Sequence, residues 1–365
     1  AKRWIYDSGT RVPMIVRIPE KFRTDGFGDA KSTDNRLISM IDLGPTALRL
    51  AGIDIPKHMH GQPFIGKDLP DDRKYVYAAR DRIDERYDMV RMVRDGRYRY
   101  MRTYMTWYPT LRMISYAENN AIRQEMRRLL AEGNLKPEAA QFLAPTRPCE
   151  QLYDTQTDPD EVKNLVDDPK YADILKRLRG ECDRWMLDIR DAQLVAEPFL
   201  EDADAEVGNR RSAVVGKKGR ARVKRLMSVA ESVAQGGNVD SLLKYLGDDD
   251  PAVRWWAAIG LGNDAAVAKQ NLPALQKAMK DESSAVQVAA ARAVDRAGKT
   301  DQALPVLTEA LKDDIGSTRL WAITVLDEMD ERARPVIDAI QAASKKQPNK
   351  YVERVAQTAL EQLKN

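Results

Sequence analysis

The chain has 365 residues, of which 32% are charged and 43% hydrophobic, a balance typical of a globular protein with room for two or more domains. Its net charge of +3 is too small to indicate a nucleic-acid-binding protein, which needs a concentrated basic face. No run of about 18 apolar residues occurs, so the sequence predicts no transmembrane segment.

The start of the chain predicts a turn followed by a short buried strand. Residues 7–10 form the turn, in which Gly9 can adopt a positive φ. Residues 14–18 are mostly apolar, as in a buried strand, and Pro13 and Pro19 bound them because proline cannot donate to a β ladder. Such a strand needs neighbours, and we expect that the chain begins inside a domain.

A helix and a long loop are predicted next. Residues 36–52 have apolar residues at helical spacing, and Pro45 is expected to kink this helix or to split it into two. The loop that follows, residues 53–72, is rich in proline and glycine. It holds the two histidines of the sequence, His58 and His60.

A strand and a hairpin follow this loop. Residues 74–79 predict the strand, and residues 89–94 and 98–101 predict the hairpin, because the Asp-Gly pair between them is a strong turn signal. The charged segment over residues 80–88 is predicted to be a loop.

Three helices and one strand complete this part of the chain. The helices are predicted over residues 119–133, 137–143 and 169–191, and the strand over residues 151–153. Strand, hairpin, strand and long helix together predict a small antiparallel sheet with one helix packed across it.

Residues 193–238 have a different composition. Residues 197–206 are acidic, and residues 210–225 are basic. We predict a solvated linker here, and the alternative is a binding site for phosphate or polysaccharide in the basic part.

An internal repeat occupies the rest of the chain, from residue 239. Four apolar helical patterns begin at Val253, Val286, Thr318 and Val352, at intervals of 33, 32 and 34 residues. In each copy an alanine stands four positions after the start, where its small side chain allows paired helices to approach. A second apolar helix precedes each copy, so this region predicts a helix-pair solenoid that resembles short HEAT repeats.

The two cysteines, Cys149 and Cys182, leave two interpretations open. They can be two separate thiols, which is the interpretation we favour, or they can form one disulfide.

Four segments between residues 2 and 165 resemble the sulfatase family of the alkaline phosphatase superfamily, with the sulfamidase and heparan-type sulfatases nearest. The first segment departs from the family pattern at Asp7, where the family has Glu, and at Ser8, where it has Gly. The segments are Lys2-x-x-x-Tyr6-Asp7-x-Gly9-x-Arg11-Val12-Pro13, Ser39-Met40-Ile41-Asp42-Leu43-Gly44-Pro45-Thr46, Gly61-Gln62-Pro63-Phe64, and Leu152-Tyr153-Asp154 with Asp158-Pro159, Glu161 and Asn164-Leu165.

The resemblance implies an α/β fold class, namely the tail of a sulfatase α/β domain and a small antiparallel sheet with a packing helix, joined to an all-α HEAT-like solenoid. We predict that residues 1–72 end the catalytic α/β domain and that residues 73–192 form the sulfatase C-terminal subdomain. Residues 193–238 are then the linker, and residues 239–365 are the repeats.

The resemblance also implies the hydrolysis of sulfate esters or N-sulfates of a sulfated carbohydrate. In the family the nucleophile is a formylglycine made from a cysteine, and Ca²⁺ is held by Asp and Asn side chains. Neither cysteine of this chain lies in the C-x-P-S-R segment that forms formylglycine. We therefore expect the nucleophile and the calcium ligands upstream, and this chain alone to be inactive. The family also implies a periplasmic or extracellular location.

Five residues are candidates for contact with the substrate. The resemblance implies that Lys2 contacts the sulfate, and the alternative is an exposed terminal lysine. His58 and His60 can donate to a sulfate or a sugar hydroxyl, or they can be ordinary surface or packing residues. Arg80 and Arg82 can bind sulfate or carboxylate groups, unless they pair with acidic residues of their own segment.

Two other functions stay open at this point. One is a phosphate or phosphonate ester hydrolase of the same superfamily. The other is a non-catalytic protein whose HEAT-like solenoid binds an unidentified protein partner.

Overall fold

The structure, a computed structural model, describes residues 3–23, 31–216 and 218–364, except for the side chain of Phe22. The chain divides into two compact units, each built from separate segments. The first unit contains residues 1–80, 91–102 and 150–182. The second contains residues 81–90, 103–149 and 183–365.

Four strands form one sheet in the order β1-β2-β3-β4. β3 and β4 are antiparallel, with Tyr98 opposite Asp154 and Arg102 opposite Glu150. The strands are β1 (Val76–Ile83), β2 (Arg86–Arg94), β3 (Tyr98–Thr103) and β4 (Glu150–Asp154). The predicted hairpin and the last predicted strand are therefore confirmed.

The charged segment over residues 80–88 is not a loop, which corrects the sequence prediction. β1 and β2 extend through it and leave a two-residue turn. Its charged side chains are accommodated in strands because Arg82 pairs with Glu197 and Arg86 pairs with Asp327. Both partners are distant in sequence, so the local pattern did not indicate them.

The strand predicted over residues 14–18 is wrong as well. The backbone there has no regular secondary structure, and the side chains of Ile15 and Val16 are 95% and 50% exposed. The described sheet contains no strand that pairs with this segment. An apolar pattern indicates that a segment can be buried, but a strand also requires a neighbour for its backbone.

The described part of the first 72 residues contains two short α-helices, α1 (Asp7–Thr10) and α2 (Leu43–Leu50). α2 follows a 3-10 turn over Met40–Asp42, so the helix begins later than predicted. Pro45 lies in its first turn, where backbone N–H groups have no partner within the helix, and it is therefore tolerated. Residues 53–72 have no regular structure, as predicted.

The middle of the chain contains four further helices. Cys182 is buried on the last of them, and both Cys149 and Cys182 remain thiols, which agrees with the favoured interpretation. The helices are α3 (Ser115–Glu118), α4 (Ala121–Ala131), α5 (Pro137–Ala140) and α6 (Ala172–Ile189).

Residues 193–238, for which the sequence predicts a linker, are largely helical. They contain α7 (Glu197–Val207) and α8 (Gly219–Ala234), with a 3-10 turn over Arg210–Val214 between them. Val223 and Leu226 on α8 are fully buried. The segment thus has an apolar packing face within its basic composition.

The predicted repeats are present as helix pairs. The four starting positions fall in α10, α13, α15 and α17, and a shorter helix precedes each of them. Trp255 and Trp256 of α10 are buried in the repeat core. Within the described part of the chain, none of the helices has the length and apolar character of a membrane span. The helices are α9 (Val239–Tyr245), α10 (Pro251–Gly262), α11 (Ala265–Gln270), α12 (Leu272–Ala278), α13 (Ser284–Arg296), α14 (Thr300–Ala310), α15 (Gly316–Glu328), α16 (Ile337–Ala343) and α17 (Lys350–Lys364).

Candidate substrate-side site

The predicted catalytic residue, Lys2, lies outside the described residues, so its role stays a prediction. The chain is described from Arg3, whose φ of 76° lies in the left-handed region. The residue that follows Lys2 in the first segment therefore has a defined backbone conformation.

A buried arginine joins the first and last sulfatase-like segments in the first unit. Arg99 on β3 is completely buried, and it forms ion pairs with Asp7 and with Glu161, the latter over 3.0 Å from its Nε to Oε1. It also donates to the carbonyl oxygen of Ile5 and, over 2.9 Å, to Oγ1 of Thr10. One guanidinium therefore fixes both ends of α1.

The same cluster contains a second arginine and a direct bond between the two segments. The backbone N–H of Asp7 donates to Oε2 of Glu161 over 2.6 Å, and Nε of Arg94 lies 3.2 Å from Oδ1 of Asp7. Burial raises the pKa of Glu161 to about 7, because losing water disfavours the carboxylate more than the nearby Arg99 favours it. Burial also lowers the pKa of Arg99.

Aromatic side chains extend this cluster toward Arg80. Trp4 and Tyr6 have ring centroids 6.4 Å apart, and Tyr6 and Tyr153 have centroids 6.2 Å apart. Gln151 donates to the hydroxyl of Tyr6 over 3.3 Å. The guanidinium of the buried Arg80 lies 4.4 Å from the centroid of the Trp4 ring, a cation–π contact. Arg80 is thus placed beside the first sulfatase-like segment.

His58 and His60 are both exposed in the irregular loop over residues 53–72. The loop is anchored by Asp42, which is 1% exposed. The Asp42 carboxylate accepts from the backbone N–H of Gln62 over 2.9 Å and from Nη2 of Arg73 over 2.6 Å. Both imidazoles therefore face solvent, and the loop that carries them is anchored nearby, at Gln62.

Gly61, next to His60, is required by a close backbone approach. A Cβ at this position would lie 2.1 Å from the carbonyl oxygen of Ile41, which is not compatible with any side chain unless the backbone moves. The Asp42 side chain also accepts from the N–H of Ser39 over 2.8 Å, a bond that closes the 3-10 turn over Met40–Asp42. The second and third sulfatase-like segments therefore pack against each other.

Arg82 belongs to the second unit, where it is committed to a carboxylate. Its Nε lies 2.7 Å from Oε1 of Glu197, and its guanidinium lies 5.3 Å from the centroid of the Tyr87 ring. The side chains of Arg82 and Glu197 are 21% and 17% exposed. A sulfate group that binds Arg82 must compete with Glu197.

A small cavity of about 20 Å³, open to solvent, lies beside Arg82 in the second unit. The indole N–H groups of Trp255 and Trp321 and Oε2 of Glu85 are buried there without a hydrogen-bond partner among the described residues. The lining residues come from the β1–β2 hairpin, the segment after β3, the start of α7 and the repeats: Arg82, Glu85, Tyr87, Arg112, Glu197, Pro198, Trp255, Ser317, Leu320, Trp321 and Thr324.

The described residues do not fit a calcium site. Over residues 3–23, 31–216 and 218–364, no group of three or more His, Cys, Asp or Glu side chains is arranged to hold a metal ion. Calcium in proteins takes about six to eight oxygen ligands. Two buried acidic residues of the first unit, Asp7 and Asp42, are instead paired with arginines.

The sequence analysis missed the roles of Arg99 and Asp42. An arginine between two aromatic residues of a predicted strand, as in Tyr98-Arg99-Tyr100, indicates a buried charge that needs a partner. Asp42 stood inside a recognised motif, but its role as an anchor depends on Gln62 and Arg73, which only the fold brings to it.

Two family models match the chain in separate regions. Residues 1–130 match the family described as N-sulphoglucosamine sulphohydrolase, C-terminal, and residues 239–327 match HEAT repeats.

The relatives with similar sequences are sulfatases. An ulvan-active sulfatase of Formosa agariphila is 41% identical over 199 residues, which cover 54% of this chain and 32% of that protein. A second ulvan-active sulfatase of the same organism is 29% identical, with 54% and 37% covered. A Delta 4,5-hexuronate-2-O-sulfatase of Bacteroides thetaiotaomicron is 28% identical, with 53% and 33% covered. The chain spans about a third of the length of these relatives. Residues 1–130 are therefore similar to the C-terminal region of that sulfatase family, and residues 239–327 are similar to HEAT repeats.

Proposed function

We propose that this chain is part of a sulfatase that hydrolyses sulfate groups of a sulfated carbohydrate. The observation that carries the proposal is that the first and last sulfatase-like segments meet on Arg99, which is expected if both segments belong to one folded unit. The names of the relatives, which refer to ulvan and to a hexuronate sulfate, support a polysaccharide or an oligosaccharide derived from it as the substrate class.

The proposal includes parts of the reaction that this chain does not supply. Hydrolysis of a sulfate ester needs a nucleophile, cationic groups on the sulfate oxygens and an acid for the leaving oxygen. Formylglycine and Ca²⁺ belong to the proposal as components from outside this chain, since neither cysteine lies in C-x-P-S-R and the described residues do not fit calcium. A periplasmic or extracellular location is part of the same proposal.

In the first unit, we assign substrate contact to Lys2, His58 and His60, and an electrostatic contribution to substrate binding to Arg80. The exposure of both histidines on an anchored loop supports this role, because their N–H groups can donate to sulfate or hydroxyl oxygens. Arg80 is buried over Trp4, so its contribution is mainly the positive field next to the first segment.

In the second unit, we assign substrate contact to Arg82. This contact requires an exchange of its Glu197 partner for a sulfate or carboxylate of the saccharide, because both pairs use the same planar guanidinium edge. The proposal also includes a separate protein partner, which binds the solvent-facing surface of the HEAT repeats.

Sulfate release by the complete protein tests the proposal. The protein is produced with formylglycine maturation and Ca²⁺, and sulfate release is measured from an aryl sulfate, ulvan oligosaccharides and glycosaminoglycan oligosaccharides. The substitutions His58→Ala and His60→Ala are expected to raise KM by about tenfold without a change in Tm, since they remove contacts and no packing. The control Arg128→Ala removes a side chain that is 53% exposed and pairs only with neighbours on its own helix and at its end.

Two results would count against the proposal. If the mature protein releases no sulfate from any of the three substrates, it is not a sulfatase of carbohydrates. If it releases phosphate from phosphate or phosphonate esters instead, the related hydrolase of the same superfamily is the correct function.

A further inference from the structure

The HEAT repeats contact the first residue of β2, next to the β1–β2 turn, through a buried ion pair. In the second unit, Nη2 of Arg86 lies 2.8 Å from Oδ2 of Asp327 on α15, and each of these side chains is only 7% exposed. Nε of Arg86 also donates to the carbonyl oxygen of Met113 over 2.8 Å. The strand that leaves the turn is therefore attached to the third predicted repeat.

The next residue of α15, Glu328, collects a second group of contacts. Its Oε1 accepts from the hydroxyl of Tyr108 over 2.5 Å and lies 3.7 Å from Nη2 of Arg112. Its Oε2 lies 3.3 Å from Nε of Arg292 on α13. Arg112 in turn stacks 3.6 Å from the Tyr108 ring centroid and donates to the carbonyl oxygen of Tyr87 over 2.8 Å.

Asp327, Tyr108 and Arg112 are shielded from water, so their pairing is hard to replace. Burial raises the pKa of Asp327 despite its arginine partner, raises the pKa of Tyr108 to about 12 and lowers the pKa of Arg112. When one member of a buried pair is removed, the other is left as an uncompensated charge, and the segment that carries it must move toward water.

The predicted substrate residue Arg82 lies near the end of β1, two positions before this turn begins. Its guanidinium faces the ring of Tyr87, whose carbonyl group is held by Arg112, and Arg86 is four positions away. The position of Arg82 in the second unit therefore depends on contacts made by α15.

We propose that Asp327 and Glu328 of the HEAT repeats are positioning residues, which hold residues 81–90 in the conformation that presents Arg82 to a sulfated saccharide. The surface of α15 around these two residues thus binds a segment of its own chain and not a separate protein. The saccharide part of this inference rests on the proposed function. The attachment of residues 81–90 to the repeats does not.

Hydrogen exchange and saccharide binding of the full chain test the two parts separately. Asp327→Asn is expected to increase amide exchange in residues 81–90 by about tenfold or more, while α10 keeps its protection. It is also expected to weaken binding of a sulfated ulvan oligosaccharide, measured by calorimetry, by about tenfold. The control Glu331→Gln, whose side chain is 64% exposed and pairs with Arg334, should change neither quantity.

A double-mutant cycle distinguishes positioning from general destabilisation. If Asp327 acts through Arg82, Asp327→Asn causes no further loss of affinity once Arg82→Ala is present. The double substitution Arg86→Met with Asp327→Leu removes both buried charges, and it is expected to restore the protection of residues 81–90. It also keeps the test valid if Asp327→Asn alone fails to fold.

Three outcomes would overturn the inference in distinct ways. Unchanged exchange of residues 81–90 in Asp327→Asn excludes the attachment. Faster exchange with unchanged affinity, or additive losses in the cycle, excludes the effect on Arg82. If the wild-type chain binds no oligosaccharide, the saccharide part of the inference fails, whereas the exchange result still decides the attachment and sulfate release by the complete protein still decides the proposed function.

Discussion

The backbone N–H of Asp7 donates to the carboxylate of Glu161 over 2.6 Å, although 154 positions separate the two residues. Both residues belong to sulfatase-like segments, and both contact Arg99. Two sulfatase-like segments of the first unit are thus held by one buried set of charges, and the stability of this unit should depend on that set.

Replacing Arg99 by Met should lower the free energy of unfolding by about 3–5 kcal/mol, because it leaves buried carboxylates without their main cation. Denaturant unfolding monitored by circular dichroism gives the free energy. Arg128→Met is the control, since an exposed ion pair contributes about 0–1 kcal/mol. Equal destabilisation by the two substitutions would contradict a structural role for the cluster.

Glu161 should make the stability of the chain depend on pH near neutrality. Its pKa rises on folding from 4.5 to about 7, so the folded state binds a proton more tightly than the unfolded state. The stability that Glu161 contributes is therefore fully present below pH 4.5 and is lost as the pH rises through about 7.

The substitution Glu161→Gln should flatten this part of the pH profile. One proton accounts for a slope of at most about 1.4 kcal/mol per pH unit, and the amide of Gln has no proton to lose. Unfolding free energies of wild type and variant, measured between pH 4.5 and 8, give the comparison. Parallel profiles would show that the proton is not bound at Glu161.

Gly61→Ala should destabilise the chain by about 1–3 kcal/mol, since its Cβ would collide with the carbonyl group of Ile41. The matched control is Gly96→Ala in the β2–β3 turn, where a Cβ meets nothing within 4 Å. Thermal unfolding compares the two variants. In the complete protein, Gly61→Ala should also raise KM as His58→Ala does, because the histidine loop must shift. A neutral Gly61→Ala would mean that the loop is not tightly packed on Ile41.

Local patterns predicted the repeats and the β2–β3 hairpin, because each depends on interactions within about 30 residues. The repeat starts at Val253 and Val286 lie in α10 and α13, and the turn signal at Asp95 lies between two strands. The ends of β1 and β2 were predicted wrongly, because charged side chains there are neutralised by partners that are distant in sequence. Arg86 lies in β2 and is paired with a residue 241 positions away, so the sequence around it predicts a loop.

The candidate site was predictable as motifs but not as contacts. The motifs contain Asp7, Glu161 and Asp42. Arg99 lies outside the motifs, and only the fold places it between Asp7 and Glu161. The exposed segment around Ile15 shows the opposite case, because its apolar pattern is clear and no described strand covers it. Burial depends on a neighbour, and the sequence of one segment does not contain that information.

The packing of α10 on α13 should depend on Gly262. A Cβ at this position would lie 2.7 Å from the Cβ of Ala293, so Gly262→Ala is expected to separate the two helices and to lower the unfolding free energy by about 1–3 kcal/mol. Repeats stabilise their neighbours, and amide protection should therefore fall in α13 as well as in α10. The control is Gly180→Ala in α6, which meets no atom within 4 Å and should stabilise the helix by about 0.5–1 kcal/mol. Denaturant unfolding and hydrogen exchange measure both effects, and a Gly262→Ala variant that is as stable as Gly180→Ala would show that close helix approach does not hold these repeats together.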